Sequence, residues 1–248
     1  MDLYYKKVLI VSDNPYLCKA FFDVCEKLKV DTTGMELMRS PSHKDLVFSG
    51  LPKHLPQKVI SIQQNLEEIL VKFDLVLSLH CNQLFPKRMV NNIKCINVHP
   101  GLNPFNRGWF PQVFSIINGM PIGATIHEID EEIDHGPIIA QREVEIRLTD
   151  TSKDVYDRVQ EEEIRLIEEN LFDILQNTYT VTSPSSEGNI QLKADFKALT
   201  EIDLNKNVTM REAIDYFRAL THGEYKNAYF IDPKTGKKVF IKIQLEEE

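Results

Sequence analysis

The amino-acid sequence predicts an α/β fold with a mainly parallel sheet, helices on both faces of that sheet, and a small C-terminal region of helix and β-hairpin. Two observations predict it. Short apolar runs alternate with segments of helical periodicity from residue 6 to about residue 150, a pattern typical of parallel strands joined by helices. In addition, 42% of the 248 residues are hydrophobic, which is enough to bury one sizeable core.

The predicted strands and helices follow one another from the start of the chain. KKVLIVSDN is an apolar run that ends in polar residues, as a buried strand does. The next segment, PYLCKAFFDVCEKLKV, has a proline near its start and apolar side chains at helical spacing, namely Leu17, Phe21, Val24, Cys25 and Leu28. Further strands are predicted at KVISI, DLVLSLHC and CINVHP, with a helix over QQNLEEILVKF.

Two helices and two strands complete the predicted main domain. FPQVFSIINGMP is typical of a short helix closed by Gly119, and strands are predicted at IGATIHEID and PIIAQREVEI. Thr151 and Asp154 resemble an N-cap box, so a long charged helix is predicted to begin there. Its EEEIRLIEEN run is interpreted as a solvated face rather than a ligand site.

A polar turn cluster, SPSSEGN, divides the chain at residues 183–189. We therefore predict one domain over residues 1–182 and a small C-terminal region over residues 183–248. The second contains a helix over MREAIDYFRALTH and a hairpin in which DPKTGK joins NAYFI to KVFIKIQL. The apolar alternation in the hairpin leaves an edge that a two-fold partner would cover, which predicts a homodimer through this region.

Charge and composition narrow the classes of partner. The formal net charge is -8, so there is no basic stripe of the kind that nucleic-acid binding needs. No stretch of about 20 apolar residues is long enough to span a bilayer, and no secretory signal is recognised at the N-terminus. The four cysteines form no C-x-x-C pair, and we expect free thiols in a reducing, cytoplasmic environment.

One segment carries the chemistry. In CINVHPGLNPFNRGWFP, residues 95–111, Asn97 and His99 lie at the predicted carboxyl end of a strand, where open α/β sheets bind ligands. Two residues apart on a strand, their side chains point to the same face. Asp134, in EIDHG, comes after one further strand and can meet them in space. The simpler alternative is a buried strand followed by a turn, with His99 a satisfied core histidine.

These three residue types suit acyl transfer to an amine. An amide N–H stabilises an oxyanion, an imidazole moves a proton near neutral pH, and a carboxylate holds the imidazole in one tautomer. The sequence has no G-x-S-x-G motif and no recognisable Cys–His pair, so a covalent acyl-enzyme is not indicated. No metal is expected, because one His and one Asp without a second well-spaced ligand make a weak zinc site.

The spacing over residues 97–136 resembles the signature of the folate-dependent formyltransferase family. The matching positions are Asn97, His99, Arg107, Gly108, Pro111, Gly119, Gly123, Thr125, Asp134 and Gly136. The resemblance implies a Rossmann-like catalytic domain over residues 1–182 and N10-formyltetrahydrofolate as formyl donor. Within the family, SDNP and NPFNRGWFPQVFSIINGMPIGATIHEID most resemble enzymes that N-formylate dTDP-linked amino sugars such as dTDP-4-amino-4,6-dideoxyglucose.

The resemblance implies formyl transfer to the amino group of a dTDP-linked amino-dideoxy sugar, in the synthesis of O-antigen or surface polysaccharide precursors. The transfer-RNA branch has a Ser and a Leu-Leu-Pro run after the histidine, whereas this chain has GLNP at residues 101–104. Its acidic balance also disfavours transfer RNA. Two alternatives remain open, a glycinamide ribonucleotide-type formyltransferase and a non-catalytic module that binds nucleotide sugar or folate.

Roles for individual residues also follow from the resemblance. His99 would take a proton from the sugar amine, Asn97 would donate to the formyl oxygen, and Asp134 would orient His99. The implied folate-binding residues are Leu84, Phe85, Ile133 and Asp134. The predicted substrate-binding residues are Asn14, Arg107, Trp109, His127, Lys226 and Asn227.

Most of the predicted substrate contacts have a structural alternative. Arg107 could brace its own loop through backbone carbonyls, Trp109 could fill core, and His127 could be an ordinary strand residue. The residues of HGEYKNAYF, which include Lys226 and Asn227, could simply pack the hairpin.

Overall fold

The computed structural model describes residues 3–184 and 186–248. Its strands are β1 (Val8–Ser12), β2 (Met35–Arg39), β3 (Gln57–Val59), β4 (Leu75–Leu79), β5 (Lys94–His99), β6 (Arg107–Gly108), β7 (Ile122–Glu128), β8 (Ile138–Val144), β9 (Ile190–Gln191), β10 (Thr221–His222), β11 (Tyr225–Lys226), β12 (Ala228–Ile231) and β13 (Lys238–Ile241). Its α-helices are α1 (Pro15–Lys27), α2 (Leu66–Lys72), α3 (Lys87–Val90), α4 (Pro111–Asn118), α5 (Ser152–Gln176), α6 (Lys193–Thr200) and α7 (Met210–Leu220).

Seven strands form the central sheet, in the spatial order β3-β2-β1-β4-β5-β7-β8. The first five are parallel to one another, and β7 and β8 extend the sheet with antiparallel pairings. The prediction of an α/β, Rossmann-like and mainly parallel sheet is therefore confirmed. The carboxyl ends of β1, β4 and β5 meet at one edge, where such sheets bind ligands.

Helices cover both faces of the sheet, as predicted. Alternate residues of β1 separate into two apolar clusters, with Val8 and Ile10 in one and Leu9 and Val11 in the other. The first cluster also contains the buried faces of α1 and α5, and the second contains those of α2 and α3. A strand buried on both sides requires a continuous apolar sequence, which explains the VLIVS run.

The long helix α5 begins where the sequence predicts, with Thr151 and Asp154 forming a reciprocal capping box. The interpretation of EEEIRLIEEN as a solvated face is wrong at one position, because Glu163 is fully buried. Its Oε1 lies 2.6 Å from Nε2 of His80, at the end of β4. The helix turns this one carboxylate inward, beneath the carboxyl edge of the sheet.

The C-terminal region contains the predicted helix and hairpin, as α7 and the antiparallel pair β12 and β13. Helix α7 packs on α4 and α5. Arg218 of α7 is buried and donates hydrogen bonds to the carbonyl oxygens of Arg147 and Asp150, in the turn before α5. Helix α6 was not predicted from the sequence. The short pairing of β9 with β6, which joins residues 190–191 to the main domain, was not predicted either.

All four cysteines are free, in agreement with the expectation from sequence. Burial raises the pKa of each thiol to about 12. Along the described ranges, no helix has both the length and the apolar content to cross a membrane.

Candidate active site

The central group of polar side chains lies at the junction of β5 and β7. These strands are antiparallel, and their register places Asn97 opposite His127 and His99 opposite Thr125. Asn97 and His99 lie two residues apart at the carboxyl end of β5, so their side chains point to the same face of the sheet. Asp134 comes from the loop between β7 and β8, where its backbone has a positive φ of 46°.

The Asp134 carboxylate is the hub of this group. Oδ1 accepts a hydrogen bond from Nδ2 of Asn97 at 3.0 Å, and Oδ2 accepts one from the Gly108 backbone N–H at 3.1 Å. Nδ1 of His99 lies 3.5 Å from Oδ2, and Nε2 of His127 lies 3.5 Å from Oδ1. The structure thus brings together the three residues for which the sequence predicts a shared role.

Burial sets the charge state of the pair formed by His99 and Asp134. It lowers the pKa of His99 to about 4, against the opposite pull of the Asp134 carboxylate. Burial alone would raise the pKa of Asp134, but the His99 imidazole and the Gly108 N–H hold that pKa well below its usual range. At neutral pH the site therefore holds a neutral imidazole next to a carboxylate.

The second nitrogen of His99 is the one available for chemistry. Nε2 is buried and has no hydrogen-bond partner among the described residues. It points toward Gly101, where a Cβ atom would lie only 2.4 Å away. Gly101 therefore packs closely against the imidazole, and a side chain at this position would displace the ring.

A network of backbone contacts holds the Asp134 loop. Asn103 donates from Nδ2 to the carbonyl oxygen of Asp134 at 2.8 Å, and Nη1 of Arg107 donates to the carbonyl oxygen of Ile133 at 3.1 Å. The Thr125 hydroxyl donates to the carbonyl oxygen of Gly101 at 2.7 Å. Arg107 is buried and braces the loop, which is the structural alternative considered from the sequence.

His127 lies within the central polar group rather than on an open surface, and only 1% of it is exposed. Its Nδ1 is 2.7 Å from the Glu128 carbonyl oxygen, so Nδ1 carries the proton in the neutral ring. Nε2 then accepts from Nδ2 of Asn97, at 3.3 Å. Both N–H groups of the Asn97 amide are thus directed at Asp134 and His127.

Three further predicted residues of the main domain, Leu84, Phe85 and Trp109, lie in the segments that follow β4 and β6. Leu84 is 76% exposed, in the loop after β4, while the neighbouring Phe85 packs against the apolar cluster below α2 and α3. Trp109 is half-buried, and its ring contacts Phe110 and the ammonium group of Lys193.

Asn14 belongs to a second polar group at the same edge of the sheet. Its Oδ1 caps α1, and its Nδ2 lies 3.0 Å from Nδ1 of His80 and 3.3 Å from the Tyr156 hydroxyl. The ring of Tyr156 contacts that of His222 in the C-terminal region. The structure does not bring Asn14 into contact with Asn97, His99 or Asp134.

Neither predicted residue of the hairpin region contacts the central polar group. Lys226 is exposed, and its ammonium group lies 5.6 Å from the centre of the Phe240 ring. Asn227 donates from Nδ2 to the Leu220 carbonyl oxygen. Both contacts are internal to the C-terminal region.

Four polar residues that support the site or its neighbouring loops were not identified from the sequence, namely His80, Asn103, Glu163 and Asn189. A polar residue at the end of a predicted strand is a signal that could have found His80, because it follows β4 as His99 ends β5. Within residues 3–184 and 186–248, no three His, Cys, Asp or Glu side chains are grouped so that they could hold a metal ion.

A neutral imidazole, an ionised carboxylate and an amide donor at one sheet edge form a site suited to acyl transfer. The family model for formyl transferases matches residues 6–171, and the model for the N-formyltransferase dimerization C-terminal domain matches residues 195–247. The chain belongs to the formyl transferase family, which confirms the resemblance noted from the sequence.

Similar proteins point to one branch of this family. A dTDP-4-amino-4,6-dideoxyglucose formyltransferase of Mycobacterium bovis is 43% identical over 241 residues, covering 97% of each chain. A crystal structure of a 4-N formyltransferase from Francisella tularensis has a TM-score of 0.90 and 47% identity, covering 98% of this chain and 99% of that one. A sugar N-formyltransferase from a Shewanella species has a TM-score of 0.90 and 41% identity, covering 98% of each chain.

Proposed function

We propose that the protein transfers the formyl group of N10-formyltetrahydrofolate to the amino group of a dTDP-linked amino-dideoxy sugar, with dTDP-4-amino-4,6-dideoxyglucose as the best candidate. The observation that carries the proposal is the convergence of Asn97, His99 and Asp134 at the edge of the sheet. The names and high coverage of the relatives support the choice of acceptor.

His99 would act as the general base. Its imidazole is neutral at neutral pH, and its partnerless Nε2 can take the proton that the sugar amine loses as the new C–N bond forms. Asp134 would stabilise the imidazolium through Nδ1 and keep the ring in the required tautomer. The proton held on Nε2 can then pass to the leaving nitrogen.

Asn97 would donate a hydrogen bond to the formyl oxygen as negative charge develops there. Its amide already donates to Asp134, and its second N–H is directed at His127 across 3.3 Å. This second contact is the longer one, so it is the one that the formyl oxygen would replace. His127 is therefore a residue that holds Asn97 ready rather than one that binds the sugar directly.

The residues near the sheet edge fit a folate. Bound there, the folate supplies the formyl group. Leu84 presents an exposed apolar side chain that a flat ring could cover, and Phe85, Ile133 and Asp134 lie in the two loops that the family resemblance assigns to the pterin.

Several finer points belong to the proposal. Asn14, Trp109, Lys226 and Asn227 are the candidate contacts for the nucleotide sugar, with Arg107 acting through its loop. We place the domain boundary at residues 182–183. The match to a dimerization domain supports a homodimer formed through residues 183–248. A cytoplasmic location and a role in surface polysaccharide synthesis stay predictions.

The test is a direct transfer assay. The purified protein is incubated with N10-formyltetrahydrofolate and a panel of dTDP-amino sugars carrying the amine at C3 or C4, and the sugar products are analysed by mass spectrometry. We expect one added formyl group on a 4-amino sugar. Glycinamide ribonucleotide serves as the control acceptor. Formylation of that control alone, or normal folate binding without transfer to any amine, would refute the proposal.

A further inference from the structure

A short segment beyond the main domain packs against residues 104–109, the loop whose Gly108 N–H binds the Asp134 carboxylate. Residues 188–191 run alongside residues 104–109, and β9 pairs in parallel with β6. Arg107 donates its backbone N–H to the Asn189 carbonyl oxygen at 2.9 Å, and Trp109 donates to that of Gln191, also at 2.9 Å. We call residues 188–191 the clamp segment.

Asn189 makes the largest share of the polar contacts between the clamp segment and the loop. Its Oδ1 accepts from the Asn106 backbone N–H at 2.9 Å, and its Nδ2 donates to Oδ1 of Asn106 at 2.7 Å. Its own backbone N–H donates to the Pro104 carbonyl oxygen at 3.2 Å. Asn106 is completely buried and has a positive φ of 48°, so its conformation depends on such contacts.

Two glycines allow the clamp segment to lie close to residues 104–109. A Cβ atom at Gly188 would lie 1.9 Å from the Pro104 carbonyl oxygen, and one at Gly108 would lie 2.5 Å from that of Gln191. Both residues also have positive φ values, 63° and 94°. A side chain at either position would force the clamp segment away from the loop.

Arg107, which the clamp segment holds, and Gly108, which lies between the two held residues, also contact the loop that carries Asp134. Arg107 donates through Nη1 to the Ile133 carbonyl oxygen, and the Gly108 N–H donates to Oδ2 of Asp134. The chain of contacts therefore runs from Asn189 through residues 106–108 to the carboxylate that faces His99. Without the clamp segment, residues 106–109 would lose the hydrogen bonds that fix them on both sides of the Gly108 N–H.

We propose that Asn189 is a positioning residue for formyl transfer, because its hydrogen bonds fix the loop whose N–H groups hold Asp134 against His99 and Asn97. This inference rests on the proposed function. It assigns a catalytic consequence to a residue that contacts no reacting group. A misplacement of about 1 Å at a catalytic group can cost about 100-fold in rate.

The test compares Asn189→Ala, Asn189→Asp and a matched control, Tyr5→Phe. The Tyr5 hydroxyl donates one hydrogen bond to Asn177, at the opposite edge of the sheet. For Asn189→Ala we expect kcat to fall by roughly 10- to 100-fold, with KM for both substrates within about twofold of the wild type. Asn189→Asp keeps the acceptor for the Asn106 N–H, so its kcat should lie between that of Asn189→Ala and that of the wild type. Tyr5→Phe should keep the wild-type kcat.

Hydrogen exchange provides a second measurement that needs no turnover. The amides of residues 107–109 should exchange faster in Asn189→Ala than in the wild type and in Tyr5→Phe. An unchanged kcat, or a loss carried by KM alone, would overturn the positioning role, as would unchanged exchange at these amides. An inactive wild-type protein would instead overturn the proposed function, while faster exchange in Asn189→Ala would still support the clamp.

Discussion

Replacing His99 with glutamine should remove a loss of stability that the wild-type protein undergoes as the pH falls. The reason is the burial of the imidazole, which lowers its pKa from 6.5 to about 4 in the folded protein. Between these values the unfolded chain binds a proton that the folded protein does not, so protonation favours unfolding. This contribution to stability is present above about pH 6.5 and is lost as the pH falls toward 4.

The magnitude follows from the same two values. Between about pH 7 and pH 4.5 the lowered pKa should cost about 2 kcal/mol of the free energy of unfolding. The charged and titratable groups around the ring, namely Asp134, His127, His80 and Arg107, are present in both proteins. Their direct titrations therefore largely cancel when His99→Gln is compared with the wild type.

The assay is urea unfolding followed by circular dichroism at both pH values and at one protein concentration. The wild type should lose about 2 kcal/mol more than His99→Gln over this range. If the two proteins lose the same amount within about 0.5 kcal/mol, His99 is not held neutral by burial, and its assignment as a ready base is wrong.

Three further predictions follow from the site and its support. Asn97→Ala should lower kcat by roughly 100- to 1000-fold in the transfer assay, and a loss below about tenfold would contradict its role as oxyanion donor. Asp134→Asn removes the charge that raises the pKa of His99, so an NMR titration should show that pKa falling further, together with a fall in kcat. Arg218→Ala leaves the carbonyl oxygens of Arg147 and Asp150 without this donor and should lower the free energy of unfolding by roughly 2 kcal/mol in urea, whereas a change below about 1 kcal/mol would refute its bracing role.

The main elements of the fold could be predicted because their sequence patterns are local. VLIV is apolar throughout and forms most of a strand buried on both faces, and the helix α4 ends at Gly119 in the left-handed conformation. The strand β2 was missed because MELMR contains no β-branched residue and carries Glu36 and Arg39. It forms a strand because β1 and β3 pair with it on both sides.

The core of the site could also be predicted, for geometric reasons. Asn97 and His99 are two residues apart on a strand, so a shared face follows from the period of the pleat. Asp134 follows β7, whose antiparallel pairing with β5 carries the chain toward the start of β5. The loop after β7 must therefore fold back for Asp134 to reach Asn97 and His99. The pleat therefore predicts the shared face of Asn97 and His99, whereas the place of Asp134 beside them was implied by the family resemblance.

The rest depends on contacts that no local pattern reveals. Glu163 lies in a run of acidic residues typical of an exposed helix face, and its burial results from the position of His80 at the end of β4. Asn189 lies in a polar turn cluster typical of a linker, yet its partner Asn106 is 83 positions earlier. Both side chains are polar, and each is positioned by a contact with a residue that is distant in the sequence.

The pairing of β6 with β9 has a practical consequence for anyone who wishes to shorten this protein. A recombinant fragment that ended at residue 182 would contain the three proposed catalytic side chains and the whole seven-stranded sheet, but it would lack residues 188–191. Such a truncation would leave the backbone N–H groups of Arg107 and Trp109 without their acceptors. A minimal active fragment should therefore extend at least through Gln191.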